Sequence, residues 1–126
     1  MNELPRFELG YARTELRREL VDAVLRGDKT ATAGLLEEYE AEGETPATPG
    51  TRCALLGYDD EPVAVVEVTE SRVIPAAEID EQFARDEGEG FETVEDWHEA
   101  HERFFGRTIE PETQIVAVRF RVVERL

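Results

Sequence analysis

Lysine, cysteine and histidine are nearly absent from this chain of 126 residues, which has one lysine, one cysteine and two histidines. The single cysteine, Cys53, excludes a disulfide bond within the chain, and the apolar run around it predicts a buried, unreactive thiol. No apolar run approaches the roughly 20 residues that a membrane-spanning helix needs. The first residues have neither the basic nor the apolar region of a signal peptide. We therefore expect a cytoplasmic protein that contacts no membrane.

Positive charge is scarce as well, since 14 Lys and Arg residues face 30 Asp and Glu residues and the formal net charge is -16. Such a charge repels polyanions, whereas gripping long nucleic acid requires clustered Lys and Arg. The composition therefore argues against DNA or long RNA as a partner, although a local pocket could still hold one nucleotide. The length and a hydrophobic content of 40% predict one domain over residues 1–126.

The pattern of apolar residues predicts helices and strands in separate stretches. We expect a helix over residues 14–26 that ends at Gly27, and a second helix between residue 32 and Gly43. Strands are predicted over residues 52–58, 63–73 and 114–123. Pro75 should open a short helix, and Thr93 should begin another with a capping box. Without βαβ alternation, the fold class is α+β, a small curled sheet or barrel flanked by helices.

Lys29 stands out because it is the only lysine, and the other 13 basic residues are arginines. It lies in the segment 27–32, Gly-Asp-Lys-Thr-Ala-Thr. A guanidinium stays charged at any working pH, whereas burial can tune a lysine amine toward neutrality. Such an amine could take the proton of a neighbouring hydroxyl and make it a nucleophile, which draws attention to Thr30 and Thr32. The alternatives are an exposed lysine retained by chance and a Thr32 that caps the following helix.

Two further segments could contribute to a site. Glu87 lies in the run Asp-Glu-Gly-Glu-Gly (86–90), where glycines could present its carboxylate into a cleft as a proton acceptor or an amine ligand; the alternative is a solvated acidic loop. Trp97 and His101 lie on one face of the helix that begins at Thr93, and aromatic side chains near a polar pocket suit a nucleobase. Both are as readily explained as core residues. Because His98 and His101 are three residues apart, the zinc-protease pattern is absent, and we expect no metal and no cofactor.

Arginines offer a different possibility. Arg119 and Arg121 alternate with the apolar residues of the last strand and could contact a phosphate, but ion pairs with some of the many carboxylates explain them better. With Lys29 and Arg52 they could instead form a cationic cleft for RNA.

Several of these segments, in this order, resemble the ASCH (activating-signal-cointegrator homology) superfamily. The segment 27–32 resembles its glycine-x-lysine-x-x-threonine signature. The other matching segments are the turn at 49–51, the strand 65–69, the stretch 83–88 and the helix containing Trp97 and His101. The resemblance spans roughly residues 20–123, and agreement in several ordered motifs is more specific than any one of them.

The resemblance implies a small β-barrel like that of the PUA (pseudouridine-synthase and archaeosine-transglycosylase) domain, with flanking helices, that acts on RNA or nucleosides. One branch comprises bacterial amidohydrolases that deacetylate N4-acetylcytidine, and their lysine, nucleophilic threonine and glutamate fall on Lys29, Thr32 and Glu87. That branch has an arginine where this chain has Gly34. The resulting hypothesis is amide hydrolysis on a modified nucleoside or short RNA, with Thr30, Arg52, Trp97, His101 and Arg119 as candidate substrate-binding residues. The alternatives are an RNA-binding or ribonuclease-like module and a protein-interaction domain.

Overall fold

The structure is a computed structural model that describes residues 4–126, and it has the α+β class that the sequence predicts. The strands are β1 (Arg6–Phe7), β2 (Ala31–Leu35), β3 (Arg52–Leu56), β4 (Pro62–Pro75) and β5 (Gln114–Arg125). The α helices are α1 (Glu15–Arg26), α2 (Leu36–Ala41), α3 (Glu81–Asp86) and α4 (Val94–Phe105), and a 3-10 turn covers Ala76–Glu78. Within the described range, no helix has both the length and the apolar character needed to cross a membrane.

The five strands form one mixed sheet in the order β1-β3-β4-β5-β2. β1 is parallel to β3, and the other neighbouring pairs are antiparallel. β1 and β2 occupy opposite edges, and across residues 4–126 they do not pair with each other. The sheet is therefore not closed into the barrel that the resemblance implies, although the α+β class with flanking helices is as expected. Residues of both edge strands line one cleft.

Each face of the sheet has its own apolar cluster. On one face, Leu20, Val21 and Val24 of α1 pack in a cluster with Val116 and Val118 of β5. On the other face, the intervening β5 residues pack with α3 and α4; this cluster includes Ile115, Ala117, Phe83 and Trp97. The alternation of side chains along a strand explains why neighbouring β5 residues enter different clusters. Cys53 lies in the first cluster with 3% exposure, and burial raises the pKa of its thiol, so the predicted buried cysteine is confirmed.

The end of α1 sets the direction of the chain into the site. As predicted, Gly27 ends this helix, in a left-handed conformation (φ 87°) that glycine adopts readily. The backbone N–H groups of Asp28 and Lys29 then both donate to the carbonyl oxygen of Ala23, at 2.9 and 3.1 Å. These bonds turn the chain back from the helix and lead it directly into β2.

The second predicted helix is present over Leu36–Ala41 and ends before Gly43, but its expected start is wrong, because residues 31–35 form β2. Thr32 lies inside the strand opposite Val118, so the interpretation of this threonine as a helix cap is also wrong. Ala31 and Leu35 are buried at 0 and 1% exposure in the cluster beneath the sheet. Pairing with β5 and this burial outweigh the local helical pattern, as tertiary contacts often do.

The remaining elements agree more closely with expectation. Thr93 caps α4 in a capping box with Asp96, as predicted, and this helix turns Trp97 and His101 inward. Pro75 ends β4 and is the N-cap of the 3-10 turn, as predicted for the start of a short helix, but α3 follows as a separate element. The two-residue strand β1 was not predicted.

Candidate functional site

Lys29 is a buried lysine, with 2% of its surface exposed, at the junction of α1 and β2. Its Nζ atom donates to the carbonyl oxygens of Ala31 (2.9 Å) and Glu87 (3.1 Å). It also lies 3.4 Å from Glu87 Oε1 and 3.0 Å from Glu89 Oε2. An exposed lysine retained by chance is therefore excluded. Because all four partners are acceptors, the resting side chain is a charged ammonium with three protons to donate.

Glu87 is the second buried charge, with 1% exposure, and it follows the last residue of α3. One carboxylate oxygen faces Lys29, and the other accepts a hydrogen bond from Trp97 Nε1. The same oxygen lies 3.4 Å from His101 Nε2. A buried carboxylate is costly unless it is paired and hydrogen-bonded, and here α4 supplies the partners on one side and Lys29 on the other. The interpretation of Glu87 as a solvated loop residue is wrong.

Glu89 completes the charged cluster and was missed as a site residue. Its side chain is 25% exposed and contacts Lys29 from the open side. It lies between Gly88 and Gly90, both with positive φ (68° and 89°). These two conformations turn the loop so that carboxylates at positions 87 and 89 can converge on one amine. The signal in the sequence was the alternation of glutamate with glycine.

The two carboxylates respond differently to this environment. Burial disfavours the charged form of Glu87, but the hydrogen bond from His101 and the charge of Lys29 outweigh it and hold the pKa of Glu87 below its ordinary value. Burial raises the pKa of Glu89, and the nearby charge of Glu87 raises it further, although Lys29 opposes both effects. Glu87 is thus the fixed anion of the cluster, and Glu89 is the carboxylate better able to accept a proton.

His101 links α4 to Glu87. Its Nδ1 atom lies 2.8 Å from the carbonyl oxygen of Trp97, to which it donates, and this leaves Nε2 facing the carboxylate. A proton on Nε2 turns that contact into a hydrogen bond. Burial disfavours the imidazolium, yet the hydrogen bond with Glu87 and its negative charge raise the pKa of His101 above the ordinary 6.5.

We expect this pair to make stability depend on pH. Because the folded-state pKa of His101 is raised, its contribution is fully present below pH 6.5 and is lost as the pH rises through the folded-state value. Thermal unfolding from pH 6 to 9 should show a falling melting temperature in the parent protein and a flatter profile in His101→Gln. His98→Gln is the control, because His98 is 37% exposed and pairs with Glu102. A profile for His101→Gln as steep as the parent's would contradict the assignment.

The two candidate threonines, Thr30 and Thr32, lie in different environments. The Thr32 hydroxyl is on the side chain of a half-buried strand residue that lines the same cleft as Lys29 and Glu87. Thr30 is exposed, and its hydroxyl donates to the carbonyl oxygen of Asp86 at 3.4 Å. Among residues 4–126, no hydrogen bond joins Thr32 to the amine of Lys29. The amine nevertheless donates a hydrogen bond to the carbonyl oxygen of Ala31, the residue directly before Thr32.

The candidate arginines are paired with carboxylates, as the abundance of acidic residues predicts. Arg119 lies 2.6 Å from Asp86 and 3.4 Å from Glu70. Arg52 and Arg121 both contact Glu67, at 3.4 and 3.5 Å. None of these three arginines lines the cleft of Lys29. The structure therefore does not bring them together with the Lys29 cluster as a cationic groove.

The cleft itself lies between the two edges of the sheet and has a volume of about 1390 Å³. Pockets for small molecules are typically about 300–1,000 Å³, so a nucleoside would fit. Its lining includes Lys29, Thr32 and Glu87, together with a group of aromatic side chains that forms an aromatic wall. That wall consists of Phe91, His101, Phe104, Phe105 and Tyr11.

The wall is a continuous series of ring contacts. His101 stacks on the buried Trp97 with ring centroids 4.2 Å apart, and it also contacts Phe91 and Phe105. The ring of Phe104 lies 5.5 Å from that of Phe105, and Phe104 is 44% exposed. It lies 6.1 Å from the ring of Tyr11, which is 72% exposed. Open aromatic surface thus lies beside the buried charges.

The solved structures that are similar to this chain include the following three. The crystal structure of protein EF3133 from Enterococcus faecalis V583, of the family model DUF984, is 28% identical and superposes with a TM-score of 0.86, covering 99% of this chain and 79% of that protein. An ASCH domain from Lactobacillus crispatus JV V101 is 25% identical, with a TM-score of 0.81 and coverage of 98% and 81%. The hypothetical protein PH0355, at 17% identity and a TM-score of 0.62, covers 86% of this chain and 94% of its own and shares the fold alone. No curated protein matches.

The family model described as the ASCH domain matches residues 8–124. This range contains the edge strand β2, all four described α helices and every residue of the Lys29 cluster. The chain therefore belongs to the ASCH domain family.

Proposed function

We propose that this protein hydrolyses an amide bond on a modified nucleoside of the N4-acetylcytidine type. The observation that carries the proposal is the buried Lys29–Glu87 pair beside Thr32 in a cleft with an aromatic wall. Buried titratable groups that perturb each other in a cleft are typical of active sites. The aromatic wall suits a planar base, because stacking on aromatic rings is how unpaired bases are commonly held.

In the proposed reaction Thr32 is the nucleophile. Its Oγ1 atom attacks the acyl carbonyl carbon while its proton passes to the amine of Lys29. Because the resting amine is charged, it must first give up a proton, and Glu89 is the acceptor best suited by its raised pKa. The exocyclic nitrogen of the base then leaves with a proton from the cluster, and the acyl group remains on Thr32. Water hydrolyses this ester and releases the carboxylic acid.

Glu87 has a supporting position in this scheme. Trp97 and His101 hold one of its oxygens, so the other stays directed at Lys29. This fixes the amine close to β2 and orients it for proton transfer, a contribution typically worth about 10²–10⁴-fold. Trp97, which is fully buried, acts through Glu87 rather than on the substrate.

The electrostatics favour a small neutral substrate over a long RNA. The net charge is -16, and the arginines that could have formed a phosphate-binding groove are paired with Glu67, Glu70 and Asp86. A nucleoside carries no phosphate, so its binding is not opposed by this charge. Its turnover should therefore change little with salt, in contrast to phosphate-dependent binding.

The choice between the two threonines is directly testable. Thr32→Ala should lower kcat for release of cytidine from N4-acetylcytidine by about 10²-fold or more, because the attacking oxygen is removed. Thr30→Ala is the control and should retain most of the activity. Thr30 lies two residues before Thr32, and its hydroxyl donates to the carbonyl oxygen of Asp86. Chromatography of the released cytidine measures both. Equal losses in the two variants, or an active Thr32→Ala, would rule out Thr32 as the nucleophile.

A further inference from the structure

β2 has one edge of its backbone open to the cleft. Within the described part of the chain it pairs only with β5, and its register places Ala33 opposite Ala117. Just before the strand, Phe120 N donates to Thr30 O at 3.1 Å, which makes this a hydrogen-bonded pair. Hydrogen-bonded and non-hydrogen-bonded pairs alternate in an antiparallel ladder. Thr32 and Gly34 therefore form backbone hydrogen bonds with β5, and Ala33, which lies between them, does not.

The N–H and C=O groups of Ala31 and Ala33 consequently point away from β5. The contact of Lys29 Nζ with the Ala31 carbonyl, at 2.9 Å, agrees with this direction. Ala33 lines the same cleft as Lys29 and Thr32. No hydrogen bond from its N–H to a group outside the ladder is found over residues 4–126. A backbone donor thus faces the cleft one peptide bond after the proposed nucleophile.

We propose that the Ala33 N–H is the oxyanion donor of this site, an inference that rests on the amide hydrolysis proposed above. When Thr32 Oγ1 bonds to the acyl carbon, the π electrons of the carbonyl move onto its oxygen, and the Ala33 N–H donates a hydrogen bond to that oxyanion. The electron pair returns as the bond from carbon to the exocyclic nitrogen breaks. The N–H keeps its proton throughout.

The backbone on both sides of Ala33 is held in place. The flanking residues Thr32 and Gly34 pair with Val118 and Val116 of β5, so the intervening N–H has a fixed direction before substrate binds. Donors fixed in advance stabilise developing charge without a cost of reorganisation. The N–H that follows a nucleophile serves this purpose in other acyl-transfer enzymes. Removal of one such donor lowers kcat by about 10²–10³-fold.

The direct test replaces only the N–H. An ester in place of the amide between Thr32 and Ala33, made by incorporating lactic acid at position 33, removes the donor and keeps the side chain. It also weakens the Thr32 carbonyl as an acceptor in the ladder. The matched control is the hydroxy-acid analogue of leucine at position 35, which removes the N–H of Leu35, another residue directed away from β5, and weakens the Gly34 carbonyl equally. Ala33→Pro is a second variant, since proline is tolerated on edge strands where its missing N–H is not paired.

We expect the ester at position 33 and Ala33→Pro to lower kcat for N4-acetylcytidine by about 10²-fold or more with little change in KM. The ester at position 35 should stay within a few-fold of the parent. Undiminished kcat in the folded ester at position 33 would overturn the oxyanion assignment and leave the proposed function standing. Failure of the parent protein to release cytidine would overturn the proposed function and this inference with it.

Discussion

Lys29→Met should lower kcat/KM for N4-acetylcytidine by at least about 10²-fold, because the proposed proton acceptor is removed. It should also lower the free energy of unfolding by about 3–5 kcal/mol, because one partner of a buried ion pair is lost. Glu87 is 1% exposed, and without Lys29 its charge would be balanced only by His101 and the Trp97 hydrogen bond. The sequence alone predicts the loss of activity with the fold intact, whereas the buried position of Lys29 adds the loss of stability.

Two further variants separate the effects of charge and of proton transfer. Lys29→Arg retains a positive charge but not a group that can give up its proton, so we expect it to be inactive as well. Arg85→Met is the matched control, since it removes a surface cation that is 52% exposed and paired with Glu81. Activity is compared per folded molecule, with the folded fraction taken from urea unfolding. Full activity in folded Lys29→Arg would contradict a role for Lys29 in proton transfer.

Gly88→Ala should destabilise the protein far more than Gly90→Ala, although both glycines have positive φ and lie in the same loop. A Cβ at position 88 would lie 2.4 Å from the carbonyl oxygen of Asp28 and 2.7 Å from the Cα of Lys29. At position 90 it would meet no atom of residues 4–126 within 4 Å. The left-handed conformation costs a residue with a Cβ roughly 1–2 kcal/mol in either place. Overlap at position 88 adds about 1–3 kcal/mol.

The comparison of these two variants measures how closely the Glu87 loop approaches the Lys29 segment. A difference of about 2 kcal/mol in the free energy of unfolding, measured with urea, is the expected result. Gly88→Ala should also impair turnover, because relief of the overlap moves Glu87 and Glu89 away from the amine. Equal stability of the two variants would mean that the two backbones are not in contact at position 88.

Two residues of this site, Lys29 and Glu87, could be predicted from the sequence because of the chemistry of their side chains and the residues around them. Lys29 was identified because an amine can do what a guanidinium cannot, and Glu87 because glycines flank that acidic run. The structure brings these two residues together, and their roles remain predictions. Local signals also placed the end of α1 at Gly27 and the capping box of α4, since these depend on residues only a few positions apart.

What could not be predicted depends on distant pairing. β2 is formed by residues with a helical pattern, and it exists because β5, whose paired residues lie 80 to 88 positions later in the chain, pairs with it. The open edge at Ala33 and the gap between β1 and β2 follow from that pairing, so neither had a local signal. Glu89 was missed for a related reason: its contact with Lys29 depends on two left-handed glycines and the close approach of two loops.

The most direct test of the account is incubation of the purified full chain with N4-acetylcytidine at low and high salt, with cytidine release followed by chromatography. We predict release in the parent protein at rates that change little with salt, and its loss in Lys29→Met. No release from the parent, together with binding of a short RNA that weakens steeply with salt, would contradict the proposed hydrolysis and favour an RNA-binding role for the fold.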